Sequence, residues 1–345
     1  MTDASNTVLN DPALPAAAAA RPASGPWQRS WRILKRDRAT LLAAAVLILI
    51  ILSSLAAPFY ARYVSGTDPF RSNLSARITI DGKRTKVMQA STEGLGLGVT
   101  PIGPTWGAQY MLGADTQGRD VAARLLYGGR NSLLIAASST AICLFFAAVV
   151  GISAGFFGGA VDKVLSRILD ILWAFPVYLL AISLSIVFIS QGIVIGPVEI
   201  TGDSLLLPIF IIGIIYVPYV ARPVRGRVLS LKESEFVLAA RGLGIPAWRI
   251  LVYDILPNVS TMLIVFVPLM MGLNIITESS LSFLSIGVQA PDASWGTIIQ
   301  DGQTLLYTRP AVALAPGIAI VLTVLSLNVL GDSLRDALDP RTKLV

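Results

Sequence analysis

SLLIAASSTAICLFFAAVVGISAGFF, residues 132–157, runs for 26 residues without a charged side chain. An α-helix rises about 1.5 Å per residue, so about 20 apolar residues cross a hydrocarbon core of about 30 Å. Ser132–Phe157 is long enough to do so. Five other apolar stretches accompany it: Leu41–Pro58, Ile168–Ile189, Leu205–Val220, Val259–Thr277 and Ala311–Leu330. Pro176, Pro208, Pro218, Pro268 and Pro316 fall inside them. Prolines are tolerated in membrane helices where neighbours satisfy the freed backbone groups, so the pattern predicts an all-α bundle of six transmembrane helices, several of them kinked.

Composition agrees with this reading. Of 345 residues, 54% are hydrophobic and 14% charged, where soluble domains carry about 25% charged residues. There is no histidine, which excludes Ser-His-Asp and Cys-His catalysis, imidazole metal sites and a histidine pH switch. The single cysteine, Cys143, allows neither an intrachain disulfide nor a cysteine zinc site. No metal site and no cofactor is expected.

The basic residues orient the bundle. With the N-terminus in the cytoplasm, 17 Lys and Arg lie on that side and 10 on the other. Nine of those 10 sit in one long loop, of a length that translocates with little regard to charge. The arrangement is therefore N-in, C-in, and the net charge of +6 needs no nucleic-acid patch to explain it.

The chain divides accordingly. Residues 1–26 read as a disordered cytoplasmic N-terminus, and residues 27–60 as a basic segment with the first helix. Residues 61–130 read as an extracytoplasmic loop. Within it the alternation of Ala76–Ile80, the turn pair Asp81-Gly82 and Lys83–Met88 predict a β-hairpin, followed by irregular backbone through Gly94, Gly96, Gly98, Pro101, Gly103 and Pro104. Residues 131–335 form a five-helix core, and residues 336–345 a cytoplasmic tail. The first stretch is too long for a signal-peptide core and lacks a clear cleavage site, so it reads as a retained helix.

One cytoplasmic connection, residues 222–258, is longer than reversing the chain requires: RPVRGRVLSLKESEFVLAARGLGIPAWRILVYDILPN. Lys232–Arg241 has good helix formers with Ser234 near its start, and Gly242, Gly244 and Pro246 close it. Ala239, Ala240 and Gly244 leave little bulk, so another protein's backbone could approach closely there. A partnerless amphipathic helix at the membrane surface is the other reading of this composition.

Here the sequence resembles a known family. Ala239-Ala240-x3-Gly244 and, nine residues later, Asp254-Ile255-Leu256-Pro257 match the EAA loop of ABC importer permeases, E-A-A-x3-G-x9-I-x-L-P. Leu238 stands in place of the motif's glutamate and Asp254 in place of its isoleucine; Glu235 fits the E-F/Y-V-x-A-A-R form of peptide-importer permeases. Leu112-Gly113-Ala114-Asp115-Thr116-Gln117-Gly118-Arg119-Asp120-Val121, with Arg124–Gly128 and Arg130, is similar to the extracytoplasmic signature of dipeptide/oligopeptide permeases, with Ala114 for the usual threonine. Ser280–Leu284, Ser294-Trp295-Gly296 and Gly331–Arg341 resemble three further segments of that family.

The resemblance implies the C-type member of the permease pair, with a type I ABC importer permease fold, in a bacterial inner membrane. It implies a transmembrane subunit for dipeptides or oligopeptides, without an active site of its own. Its partners would be a homologous second permease, two ATP-binding subunits and an extracytoplasmic solute-binding protein. Glu235, Ala239, Ala240, Arg241, Gly244 and Pro257 would couple ATPase closure to the bundle. Asp115, Gly118, Arg119 and Asp120 mark the extracytoplasmic signature.

Four other features have competing readings. Gly113-x4-Gly118 has the glycine spacing of a phosphate-binding loop, but Arg119-Asp120 follows in place of Lys-Ser/Thr, and the loop lies on the side away from ATP. Gly151, Gly155 and Gly159 have small-xxx-small spacing, which predicts close helix packing, with a subunit interface as the alternative reading. Asp170 fits the cytoplasmic membrane boundary beside Arg167, and Glu278 either lines the translocation path or is solvated at the membrane edge. A secondary transporter would need intramembrane charges and repeated halves, which are not apparent. A membrane enzyme would need a catalytic cluster, and none is visible.

Overall fold

A computed structural model describes residues 37–80, 82–91, 98–195 and 198–338. The segment expected to be disordered, residues 1–26, lies outside them. Helix α1 is Arg38–Leu55, capped by Asp37, whose carboxylate accepts from the Ala39 and Thr40 amides. Helix α2 (Val121–Phe157) is 37 residues long and begins eleven residues before the apolar run, because Asp120 caps it at both Ala122 and Ala123. Its N-terminal turns therefore stand at the extracytoplasmic end of the bundle.

The third apolar stretch is two helices, α3 (Gly159–Ala174) and α4 (Val177–Gln191), set at 90° to one another, where a single kinked helix was expected. Phe175 between them is extended, as the ring of Pro176 demands of the residue before it. Helix α3 is also amphipathic, with Asp162, Lys163, Arg167 and Asp170 along it. Helices α5 (Leu206–Ile215) and α6 (Val217–Lys232) form a second bent pair, at 41°. Thus α6 carries helix ten residues beyond Arg222, through what was expected to be loop.

A two-residue turn separates α6 from α7 (Glu235–Gly242). Then α8 (Ala247–Ile250), a π-helical turn over Leu251–Ile255 and α9 (Leu256–Phe283) run together as one 37-residue helix. Helix α10 (Trp295–Gly302) is short, and α11 (Ala311–Leu338) is the last crossing. Residues 336–338, expected in the tail, are helical.

Among the described residues four helices are long and apolar enough to cross a membrane, and the crossings number up to six where each bent pair counts as one span. Helix α2 is central and packs on α1, α5, α6 and α9; α11 packs on α1, α9 and α10. Glycine permits the closest of these contacts. A β-carbon on Gly151 would lie 2.7 Å from the Ala221 carbonyl, and one on Gly155 2.8 Å from the Val228 Cβ. Gly151 and Gly155 thus pack against α6 of the same chain, whereas Gly159, the first residue of α3, has nothing within 4 Å of a β-carbon. Polar side chains add interhelical bonds: Asn274 donates to Thr140 at 2.9 Å, and the Tyr216 and Thr277 hydroxyls meet at 2.8 Å.

The extracytoplasmic segment contains the expected hairpin. Strand β1 (Arg77–Ile80) pairs antiparallel with β2 (Lys83–Lys86) in the register Ile80↔Lys83. A second pair, β3 (Met88–Ala90) with β4 (Val99–Pro101), lies where irregular backbone was expected. Ile78, Val87, Ile102, Tyr110 and Ala114 form a small core beneath these strands. A third ribbon, β5 (Ile193–Ile195) with β6 (Val198–Ile200), follows α4.

Candidate functional site: the cytoplasmic helix and the extracytoplasmic clasp

Helix α7 is held by its inner face and presents its outer one. Val237 and Ala240 are buried, whereas Glu235, Phe236, Leu238, Ala239 and Arg241 are exposed. The two motif alanines therefore separate: Ala239 is free to meet a partner, and Ala240 seats the helix on the bundle. Arg241 also stacks over the Phe156 ring at 5.1 Å, tying α7 to the end of α2. Ser234 occupies the N-cap position with extended backbone, but its hydroxyl donates to the Leu231 carbonyl at 2.5 Å and so closes α6 instead.

Gly244 closes α7 in a Schellman motif. Its amide donates to the Arg241 carbonyl at 2.9 Å, and the Ile245 amide to the Ala240 carbonyl at 3.1 Å. This requires a left-handed residue, and Gly244 has φ +75°. No atom lies within 4 Å of where its β-carbon would be, so the space above Gly244 is open. Beyond it the chain re-enters helix without a break to Phe283, with Pro257 exposed in the first turn of α9.

At the cytoplasmic end, two ion pairs join α3 to α6. Arg225 grips Asp162 through Nε at 2.6 Å and Nη2 at 2.7 Å, and Arg222 meets Asp170 at 2.7 Å. Asp170 thus pairs with Arg222, where Arg167 was the expected neighbour. At the α3–α4 break, a cavity of about 290 Å³ is lined by Trp173, Phe175, Pro176, Tyr216 and Tyr219 among others.

The extracytoplasmic signature is a buried clasp. Asp115 accepts from the Gln117 and Arg119 amides at 2.9 and 3.0 Å and from Arg119 Nε at 2.7 Å. Arg119 and Arg124 converge on Asp301 of α10 at 2.7 and 3.0 Å. Gly118 has φ +73°, and a β-carbon there would lie 2.5 Å from the Asn73 carbonyl. The turn with phosphate-loop spacing therefore already holds an anion, the Asp115 carboxylate.

Asp120 joins two elements. One oxygen caps α2, and the other accepts from the Tyr110 amide at 2.9 Å and Thr67 Oγ1 at 3.2 Å. Burial pushes its carboxyl above the ordinary range despite these bonds. Asp301 is also raised, because burial outweighs its two arginines.

Glu278 is not solvated. It is wholly buried, and accepts from Ser132 Oγ at 2.8 Å and Ser282 Oγ at 2.7 Å. Ser282 is one helical turn away, but Ser132 lies 146 residues away, and no local pattern signals its approach.

These features define a polytopic membrane protein with a short helix, α7, that is buried on one face and exposed on the other. The sequence profile of binding-protein-dependent transport system inner membrane components matches residues 147–344, and that of the N-terminal TM domain of oligopeptide transport permease C matches residues 25–75. The dipeptide transport system permease protein DppC of Alkalihalophilus pseudofirmus is 33% identical over 93% of this chain and 92% of its own. The glutathione transport system permease protein GsiD of Pectobacterium atrosepticum is 34% identical over 92% of each. An inward-facing structure of the MetNI methionine ABC transporter aligns with a TM-score of 0.49 at 17% identity, over 62% of this chain and 95% of that one.

The chain belongs to the family of binding-protein-dependent inner-membrane components and is a peptide-type ABC importer permease. Membership implies work alongside an ATPase, a substrate-binding protein and a second permease.

Proposed function

We propose that this permease imports short peptides and that α7 is the element through which ATP hydrolysis by two partner subunits drives it. The relatives named for dipeptide and glutathione transport support the substrate class. The observation that carries the coupling role is the outward face of α7: Glu235, Ala239 and Arg241 exposed, with open space above Gly244.

A displacement of α7 has a continuous route into the membrane. The Schellman turn at Gly244 fixes the angle between α7 and α8, and α8 runs into α9 without a break. Through Ala240 and Val237 the same displacement loads α6, and through α6 the ion pairs to α3. Closure of the ATPases would thus turn α9 and α6 together and alternate the bundle between its outward and inward states. This is a two-state element biased by a partner's ligand.

The test is Ala239→Trp in the assembled importer. Ala239 is exposed, so the indole should leave the chain folded and in the membrane, yet ATP-dependent uptake of labelled dipeptide should be lost. Uptake at the wild-type rate would overturn the docking role.

A further inference from the structure

We infer that Glu278 is a positioning residue: it pins the N-terminal end of α10 to α9, so that α10 follows α9 when the transporter switches. The inference rests on the coupling reading above and extends it to the far end of α9.

The argument begins with proton counting. A serine hydroxyl has one proton and two lone pairs. Ser132 Oγ accepts from the Trp295 amide at 3.1 Å, and its proton goes to Glu278 Oε2 at 2.8 Å. Ser282 Oγ accepts from the Val288 amide at 3.0 Å, and its proton goes to Glu278 Oε1 at 2.7 Å. Two chains, each amide to hydroxyl to carboxylate, therefore end on one side chain. Ser279 Oγ stands 3.4 Å from Oε2 as well. No lysine or arginine pairs with Glu278 among the described residues.

What the two chains hold is specific. Trp295 is the first residue of α10, and Val288 lies in the segment joining α9 to α10. The backbones are in contact here, since a β-carbon on Gly296 would lie 2.3 Å from the Ser279 carbonyl. The other end of α10 carries Asp301, held by Arg119 and Arg124 of the extracytoplasmic clasp. Helix α10 is thus fixed to α9 and α2 at one end and to the clasp at the other. Helix α9 is 28 residues, about 42 Å, and leads back to the coupling loop. Glu278 sits where its motion passes to the extracytoplasmic side.

Glu278→Gln replaces one acceptor oxygen with a donor amide, so one serine loses the acceptor of its proton and its hold on the main-chain amide is weakened. The importer is reconstituted in proteoliposomes with its partner subunits and binding protein, with labelled alanyl-alanine and glutathione as probes. Hydrogen–deuterium exchange of residues 285–296 reports the pin, and probe imported per ATP hydrolysed reports its use.

Glu278→Gln should raise exchange there more than tenfold and lower import per ATP about tenfold. Ser132→Ala should act in the same direction, and the double variant should be no worse than Glu278→Gln alone, as shared membership of one network requires. Unchanged exchange would overturn the inference. So would raised exchange with import per ATP within twofold of wild type, which would mark the residue as structural only. If Glu278→Gln fails to assemble, Ser132→Ala and Ser282→Ala are measured by the same two readouts, and the same results support or overturn the pin. A wild-type importer that hydrolyses ATP but moves neither probe would count against the peptide reading alone. The pin is then read from the change in exchange on ATP binding, which Glu278→Gln should abolish; a variant that keeps the wild-type change would overturn the inference.

Discussion

Gly155 of α2 lies so close to Val228 of α6 that a β-carbon on it would sit 2.8 Å from the Val228 Cβ and 2.9 Å from the Arg225 carbonyl. This contact and its neighbour at Gly151 set the distance between the central helix and the helix that leads to α7. Gly155→Ala should therefore destabilise the permease by about 1–3 kcal/mol, the usual cost of forcing extra carbon into a packed interior. Gly226, on the same helix as Val228, has nothing within 4 Å of a β-carbon. Gly226→Ala should be neutral or gain up to about 1 kcal/mol. Thermal unfolding of the two purified variants in detergent would show the difference.

Several of these relationships are visible in the sequence and others are not, for a physical reason. The spacing of Gly151 and Gly155 is local and reads directly as close packing. The pair Asp81-Gly82 reads as a turn in the sequence, and β1 and β2 on either side of it pair as that reading predicts. The break at Phe175 follows from Pro176, but hydropathy alone merges α3 with α4, since both are apolar enough to pass as one span. The contact of Arg119 with Asp301 joins residues 182 apart, and the cage around Glu278 spans 146. No periodicity carries information across such distances. The burial of Ala240 beside the exposed Ala239 was hidden for a different reason: two adjacent alanines are alike in composition, and only the seat of α7 on the bundle distinguishes them.

Asp120 makes a prediction about order in the extracytoplasmic segment. Both of its oxygens face donors: the Ala122 and Ala123 amides on one side, the Tyr110 amide and Thr67 hydroxyl on the other. Asp120→Asn turns one oxygen into a donor that meets another donor. It should cost about 1–3 kcal/mol. Limited proteolysis from the extracytoplasmic side would show faster cleavage between residues 61 and 120 in the variant than in the wild type.

The clasp should be more sensitive than the cytoplasmic ion pairs. Asp301→Ala removes one of the two carboxylates that Arg119 and Arg124 share, the arginines being 5% and 2% exposed, and leaves Asp115 alone to pair with both. Breaking a buried pair costs about 3–5 kcal/mol, and the partial exposure of Asp301 with the retained Asp115 brings the expectation to about 2–4 kcal/mol. Asp170→Asn breaks a pair in which both side chains are well exposed, and should change stability by less than about 1 kcal/mol. A larger loss for Asp170→Asn than for Asp301→Ala in thermal melts would reverse this ranking.

Gly244 separates backbone geometry from bulk. Its φ of +75° disfavours an L-residue, while the absence of any atom within 4 Å of a β-carbon removes steric clash inside the chain. A left-handed conformation costs a non-glycine residue about 1–2 kcal/mol, and asparagine bears it better than alanine or a β-branched residue. If Gly244 serves the Schellman turn alone, uptake should follow that order: glycine, then asparagine, alanine and valine. If the open space above it receives a partner, asparagine should fall below alanine, because its larger side chain would meet the docking surface. Initial rates of ATP-dependent uptake for the three variants, normalised to permease in the membrane, distinguish the two. The exposed face of α7 favours the second order, with asparagine the slower of the pair.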